Sequence, residues 1–125
     1  MRTPTGCHGI YIDAAQALPH IPPHELPGTA LVCALYLTGA IRGCDLGTLA
    51  FGRVDPAGGT DIAAPRELVR LALPRRVYTA NHLGYVASVA SEIMASASTL
   101  RGFRIVEQHP TLRHFTAHLE PLAAD

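Results

Sequence analysis

One arginine in this chain stands in the middle of an apolar stretch, where it could receive an anion or simply face water. The stretch from Glu67 to Thr79 reads ELVRLALPRRVYT. At a period of two, Val69, Leu71 and Leu73 form an uninterrupted apolar row on one face of a strand. Leu68, Arg70 and Ala72 form the other face, so a single guanidinium stands among small apolar neighbours. Pro74 ends the strand, and Arg75 and Arg76 follow at its exit. An arginine in that setting is either a solvated outer-face residue or the floor of a cleft that receives an anion. A second polar cluster closes the chain. Leu112 to Leu119 reads LRHFTAHL, and alternation puts Phe115, Ala117 and Leu119 on one face of a strand and His114, Thr116 and His118 on the other.

Composition narrows the chemistry. All ten basic residues are arginine, so no lysine amine is present to form a Schiff base on a side chain. Ten acidic residues bring the formal net charge to zero, which gives no electrostatic case for nucleic acid or an anionic membrane. The 125 residues suit one domain, residues 1–125, with a single core. No apolar run reaches the roughly 18 residues of a membrane span, and MRTPTGCHG has no signal-peptide core. Cys7, Cys33 and Cys44 are an odd set at irregular spacing, which points to reduced thiols in a cytoplasm. With no CxxC, no metal site is expected. The prolines between His20 and His24 prevent a regular helical pair, so those histidines read as surface loop residues.

The elements that must position these residues follow from pattern and punctuation. Gly9 to Asp13 (GIYID) reads as a short strand, and Ala14 to Pro27 as a proline-punctuated connection in which any helix is short. Pro27 to Thr38 reads as a largely buried helix with proline near its start and Gly39 just past its end. Ile41 to Asp45 and Thr48 to Arg53 read as strands joined at Gly47. Asp55 to Pro65 is a loop, followed by the central strand Leu68 to Leu73. Thr79 to Ala97 reads as a helix capped by Thr79 or Asn81. Leu83, Val86, Ala87, Ala90, Ile93, Met94 and Ala97 form its core stripe. Phe103 to Glu107 is a further strand before the last one. Strands and helices mix without strict βαβ alternation, so the expected fold is α/β with a short, mainly antiparallel sheet packed with helices.

PTGCHGIYIDA (Pro4 to Ala14), IRGCDLGTLAFGR (Ile41 to Arg53), LVRLALPRRVYT, the pair Asn81-His82 and LRHFTAHL occur in order along the chain. Together they resemble the C-terminal part of tryptophanase and tyrosine phenol-lyase, β-eliminating lyases that use pyridoxal phosphate (PLP). The resemblance runs from Pro4 to about Leu119 and lies closer to tryptophanase. It implies the small C-terminal domain of a fold-type I PLP enzyme. The large domain, with its cofactor lysine, has no counterpart here. The chain also begins where that small domain begins, which suggests a natural unit rather than an arbitrary piece.

The resemblance assigns roles. The arginine of its VRL motif, matching Arg70, binds the substrate's α-carboxylate. A guanidinium fork makes two parallel bonds to a carboxylate and orients its plane, which a lysine cannot do. Leu46 occupies the segment where the phenol-lyase carries an arginine for the phenol hydroxyl. His114 stands where tryptophanase has a histidine near the indole, and it could hydrogen-bond or relay a proton there, or simply face water. Arg53 and Arg75 match positions of structural or cofactor-proximal use. The expectation is a split enzyme. This chain would be the small subunit of a tryptophanase-like lyase, in a heterotetramer or larger assembly with a large subunit that holds PLP covalently. It would act on an aromatic or β-substituted amino acid, be inactive alone, and expose an apolar patch for its partner. The alternative is a non-catalytic amino-acid-binding or regulatory module derived from such a domain, or a remnant without function.

Overall fold

The computed structural model describes residues 8–59 and 61–123. Cys7 and the start of the first family motif lie outside them. Among the described residues, five strands and five α-helices alternate irregularly. They are β1 (Gly9–Asp13), α1 (Ala14–Ala17), α2 (Pro27–Gly39), β2 (Cys44–Leu46), α3 (Thr48–Phe51), β3 (Leu68–Ala72), α4 (Ala80–Ala95), β4 (Phe103–Glu107), α5 (Arg113–Thr116) and β5 (His118–Pro121). The antiparallel α/β reading holds, but the strands divide into two sheets. β1, β3 and β2 form one with β3 central, and β4 pairs with β5 in the other. No helix among the described residues is long and apolar enough to cross a membrane.

Alternation on β3 sorts its side chains as the sequence predicts. Val69 and Leu71 are buried against α1 and α2, while Arg70 on the other face is half-exposed. Burying each of those two apolar side chains contributes about 1.5–3 kcal/mol. α2 is apolar on nearly every side, and Leu31 and Leu35 sit at the centre of the core with Leu18 and Ile21 of the preceding connection. Pro27 opens the helix as expected, but Gly39 is its last residue rather than the residue beyond it. Ala40 takes the left-handed conformation instead (φ 53°). The reason is packing. A Cβ on Gly39 would lie 2.7 and 2.8 Å from the two methyls of Val89, so this glycine lets α2 and α4 approach.

Thr79 caps α4. His82 completes the cap by accepting from the Thr79 backbone N–H through Nδ1 at 3.1 Å. The helix buries only Val89 and Ile93, with Val86, Ala90 and Ala97 half-buried. Leu83, Ala87 and Met94 of the expected stripe are exposed, because α4 packs chiefly on α2 and buries only a narrow face.

Two expected strands are helices. Thr48 to Arg53 begins as α3, and Leu112 to Leu119 contains α5 before β5 starts at His118. His114 and Phe115 are therefore not on opposite faces of a strand. Both segments alternate well enough for strands, but each is drawn into a turn of helix by one distant polar anchor.

Candidate functional site

Arg70 lies in one row across the three-stranded sheet, with Tyr11 of β1 on one side and Cys44 of β2 on the other. The next row holds Asp13, Leu68 and Leu46, so Leu46 shares the face of Arg70 at a diagonal position on the neighbouring strand. Leu73 donates to the His8 carbonyl at 2.9 Å and Ala14 to the Glu67 carbonyl at 2.7 Å. These bonds make the even-numbered β1 positions the hydrogen-bonded pairs. Tyr11 and Arg70 are thus a non-hydrogen-bonded pair, in which facing side chains lie closer. The arginine stem leans over Gly9, where a Cβ would meet Arg70 Nε at 3.4 Å and Tyr11 Cε2 at 3.7 Å.

The Arg70 guanidinium has no ion pair or hydrogen-bond partner among the described residues, and its Nε is buried. An unsatisfied buried donor costs about 1–3 kcal/mol, and such groups concentrate where a ligand completes them. A planar, unpaired guanidinium on a half-exposed face can bind a carboxylate through two parallel bonds.

Beneath this face lie two carboxylates that composition did not single out. Asp45 accepts from Thr29 Oγ1 at 2.6 Å and from the Gly47 N–H at 2.9 Å, which ties β2 to α2. Glu67, just before β3, accepts from the Thr48 N–H at 3.0 and 3.2 Å and from its hydroxyl. Burial pushes both carboxyls above their ordinary range, against the downward pull of these hydrogen bonds. For Glu67 the negative charges of Asp45 and Asp13 add to the rise.

His114 sits on α5, exposed, its ring against Phe115 with centroids 4.0 Å apart. No hydrogen bond or ring contact joins it to Arg70 or Leu46 among the described residues. It reaches them indirectly. Its neighbour Arg113 is buried, donates from Nε to the Leu49 carbonyl at 3.0 Å and from Nη2 to the Thr48 carbonyl at 2.5 Å, and pairs through Nη1 with Asp61. The sequence reading missed Tyr11, Thr48, Glu67, Asp61 and Arg113. Glu67 and Arg113 lay inside quoted motifs, beside the residues that drew attention.

Arg53 and Arg75 are exposed. Arg53 pairs with Ile62 through backbone alone, at 2.9 and 2.8 Å. His20 bonds the Leu100 carbonyl at 2.9 Å. No group of three metal-ligating side chains occurs among the described residues, in which Cys33 and Cys44 are unpaired. Phe51, Leu112 and Phe115, on α3 and the start of α5, are 61%, 66% and 77% exposed.

No protein-family model matches the chain. Curated relatives match it closely. It is 52% identical over 119 residues to a tryptophanase of Hyphomonas neptunium, covering 95% of this chain and 26% of the relative. A tryptophanase of Salinibacter ruber is 48% identical over 122 residues, with 98% and 26% covered. A tyrosine phenol-lyase of Symbiobacterium thermophilum is 42% identical over 120 residues, with 96% and 26% covered. The chain thus spans about a quarter of the length of these relatives. It matches the C-terminal domain of the tryptophanase and tyrosine phenol-lyase family.

Proposed function

We propose that this chain is the small subunit of a split, PLP-dependent, tryptophanase-like lyase acting on an aromatic or other β-substituted amino acid by β-elimination or β-replacement. The observation that carries the reading is the unpartnered Arg70 guanidinium, on one face with Leu46, in a chain 52% identical to part of a tryptophanase. The chain's own residues do not fit the cofactor, since none carries an amine to hold it covalently. PLP and its lysine come from a large subunit of the same family, in a cytoplasmic heterotetramer or larger assembly without nucleic acid or membrane. Residues 1–125 act as one unit there, in the place of the small domain of a fold-type I enzyme.

Each site residue then has a defined task. Arg70 binds the substrate α-carboxylate by two charge-assisted bonds and sets its plane, which orients the Cα–H bond. Leu46 presents an apolar wall to the substrate side chain and offers no partner to a phenol hydroxyl. His114 hydrogen-bonds the side-chain heteroatom or moves its proton, as an imidazole with two ring nitrogens can. The exposed Phe51, Leu112 and Phe115 support a docking face for the large subunit, since apolar side chains gathered at one surface mark an interaction site.

Co-expression with a lysine-bearing large subunit of the family tests this. A yellow complex that co-purifies and turns over tryptophan or a related amino acid is expected. Arg70→Ala should leave the complex intact and remove most turnover. A colourless chain that never joins a large subunit, yet binds amino acids through Arg70, would instead identify a non-catalytic binding module.

A further inference from the structure

We propose that Arg113, braced by Asp61, is the positioning residue that holds His114 at the substrate's side chain. The proposal rests on the role given to His114 above. It starts from the weakness of α5, which has four residues, no side-chain cap and a left-handed Leu112 (φ 52°) at its start. So short a helix does not form on its own, because one turn fixes several dihedrals for a single hydrogen bond. Among its four residues only Arg113 is buried. The place of His114 is therefore set by whatever holds Arg113.

Three partners hold it, one at each guanidinium nitrogen. Nε bonds the Leu49 carbonyl, Nη2 the Thr48 carbonyl, and Nη1 the Asp61 carboxylate. A planar fork engaged at all three nitrogens cannot swing without breaking all of them together. The first two partners are backbone carbonyls of α3, of which that of Thr48 also accepts from the Gly52 N–H at 2.8 Å, and the third comes from the glycine-containing loop before β3. Thr48 is also the residue that Glu67 grips, three positions before Arg70. His114 is thus tied to the strand of Arg70 through Arg113, Thr48 and Glu67. Carboxylate site and side-chain site become one rigid unit, although 44 positions separate Arg70 and His114 in the sequence.

The test pairs the reconstituted enzyme with the chain alone. In the enzyme, Arg113→Lys should lower kcat/KM at least tenfold for an aromatic amino acid, and little for an amino acid with a small β-leaving group. In a His114→Phe background the same substitution should have no further effect. Equal losses on both substrates, or full losses in both backgrounds, would overturn the proposal. Asp61→Asn keeps both backbone bonds of Arg113 and serves if Arg113→Lys does not fold. In the isolated chain, its effect is read from imidazole resonances. Those of His114 should shift or broaden while those of His20 and His82 stay fixed. Unchanged His114 resonances would refute the positioning role, and this readout does not depend on the chain being part of a lyase.

Discussion

Thr48 turns both its backbone N–H and its hydroxyl to the carboxylate of Glu67, from 19 positions away in the chain. The same hydroxyl accepts from the Ala64 N–H at 3.0 Å, and the Thr48 carbonyl accepts from Arg113. One small residue thereby joins the start of β3, the end of the glycine loop and the helix of His114. Thr48 is 2% exposed, so each of these bonds forms away from water, where an unmade partner is costly.

Thr48→Val keeps the shape and removes the hydroxyl. Glu67 then loses a donor and Ala64 an acceptor. A loss of about 1–3 kcal/mol is expected, read as a lower urea midpoint with an unchanged slope. A midpoint equal to the parent's would show that the hydroxyl contributes nothing net.

Glu67 makes stability depend on pH in a direction opposite to the usual carboxylate. Its carboxyl is raised by burial above the ordinary glutamate value of about 4.3. Between that value and the raised one, the folded state binds more protons than the unfolded chain, so stability at this site increases as pH falls. Above the raised value both states are ionised and the contribution is constant. Relative to Glu67→Gln, the parent should gain stability as pH drops from 7 toward 4.5. Denaturant melts of both proteins across that range check this. A relative loss on acidification would reverse the assignment.

Gly39 serves the contact of α2 with Val89. Gly39→Ala would drive a methyl into side-chain carbons at 2.7 and 2.8 Å, at a cost of about 1–3 kcal/mol. Adding Val89→Ala should recover part of that loss by opening the space, so the two changes should be clearly non-additive. Thermal melts of the four proteins in the cycle decide it. Strict additivity would place the strain elsewhere.

Arg70→Lys keeps the charge and loses the fork. In the reconstituted enzyme it should cost about ten- to a hundredfold in kcat/KM, the range expected when a charge-assisted hydrogen bond is lost. Arg70→Met in the isolated domain should melt no lower than the parent, because the buried Nε it removes has no partner among the described residues. A clear destabilisation by Arg70→Met would mean that the guanidinium serves the fold rather than a ligand.

Sequence by itself determined the elements whose stability is local or strongly periodic. β1, β3, β4, α2 and α4 follow their apolar rows, proline and threonine starts and glycine-rich breaks within a residue or two. It also determined the resemblance to the family, because the motifs are long and collinear, and the side of β3 that Arg70 occupies. Only the tertiary structure decided the rest. α3 and α5 alternate like strands, yet each is one turn of helix: Glu67 and the Arg113 side chain satisfy backbone groups of α3, and through the same Arg113 side chain α5 is fixed against α3. Those bonds span 19, 64 and 65 positions, and no local pattern encodes a partner so far away. The row of Tyr11, Arg70 and Cys44 was hidden for the same reason, because strand pairing sets which side chains meet and the three residues come from separate segments.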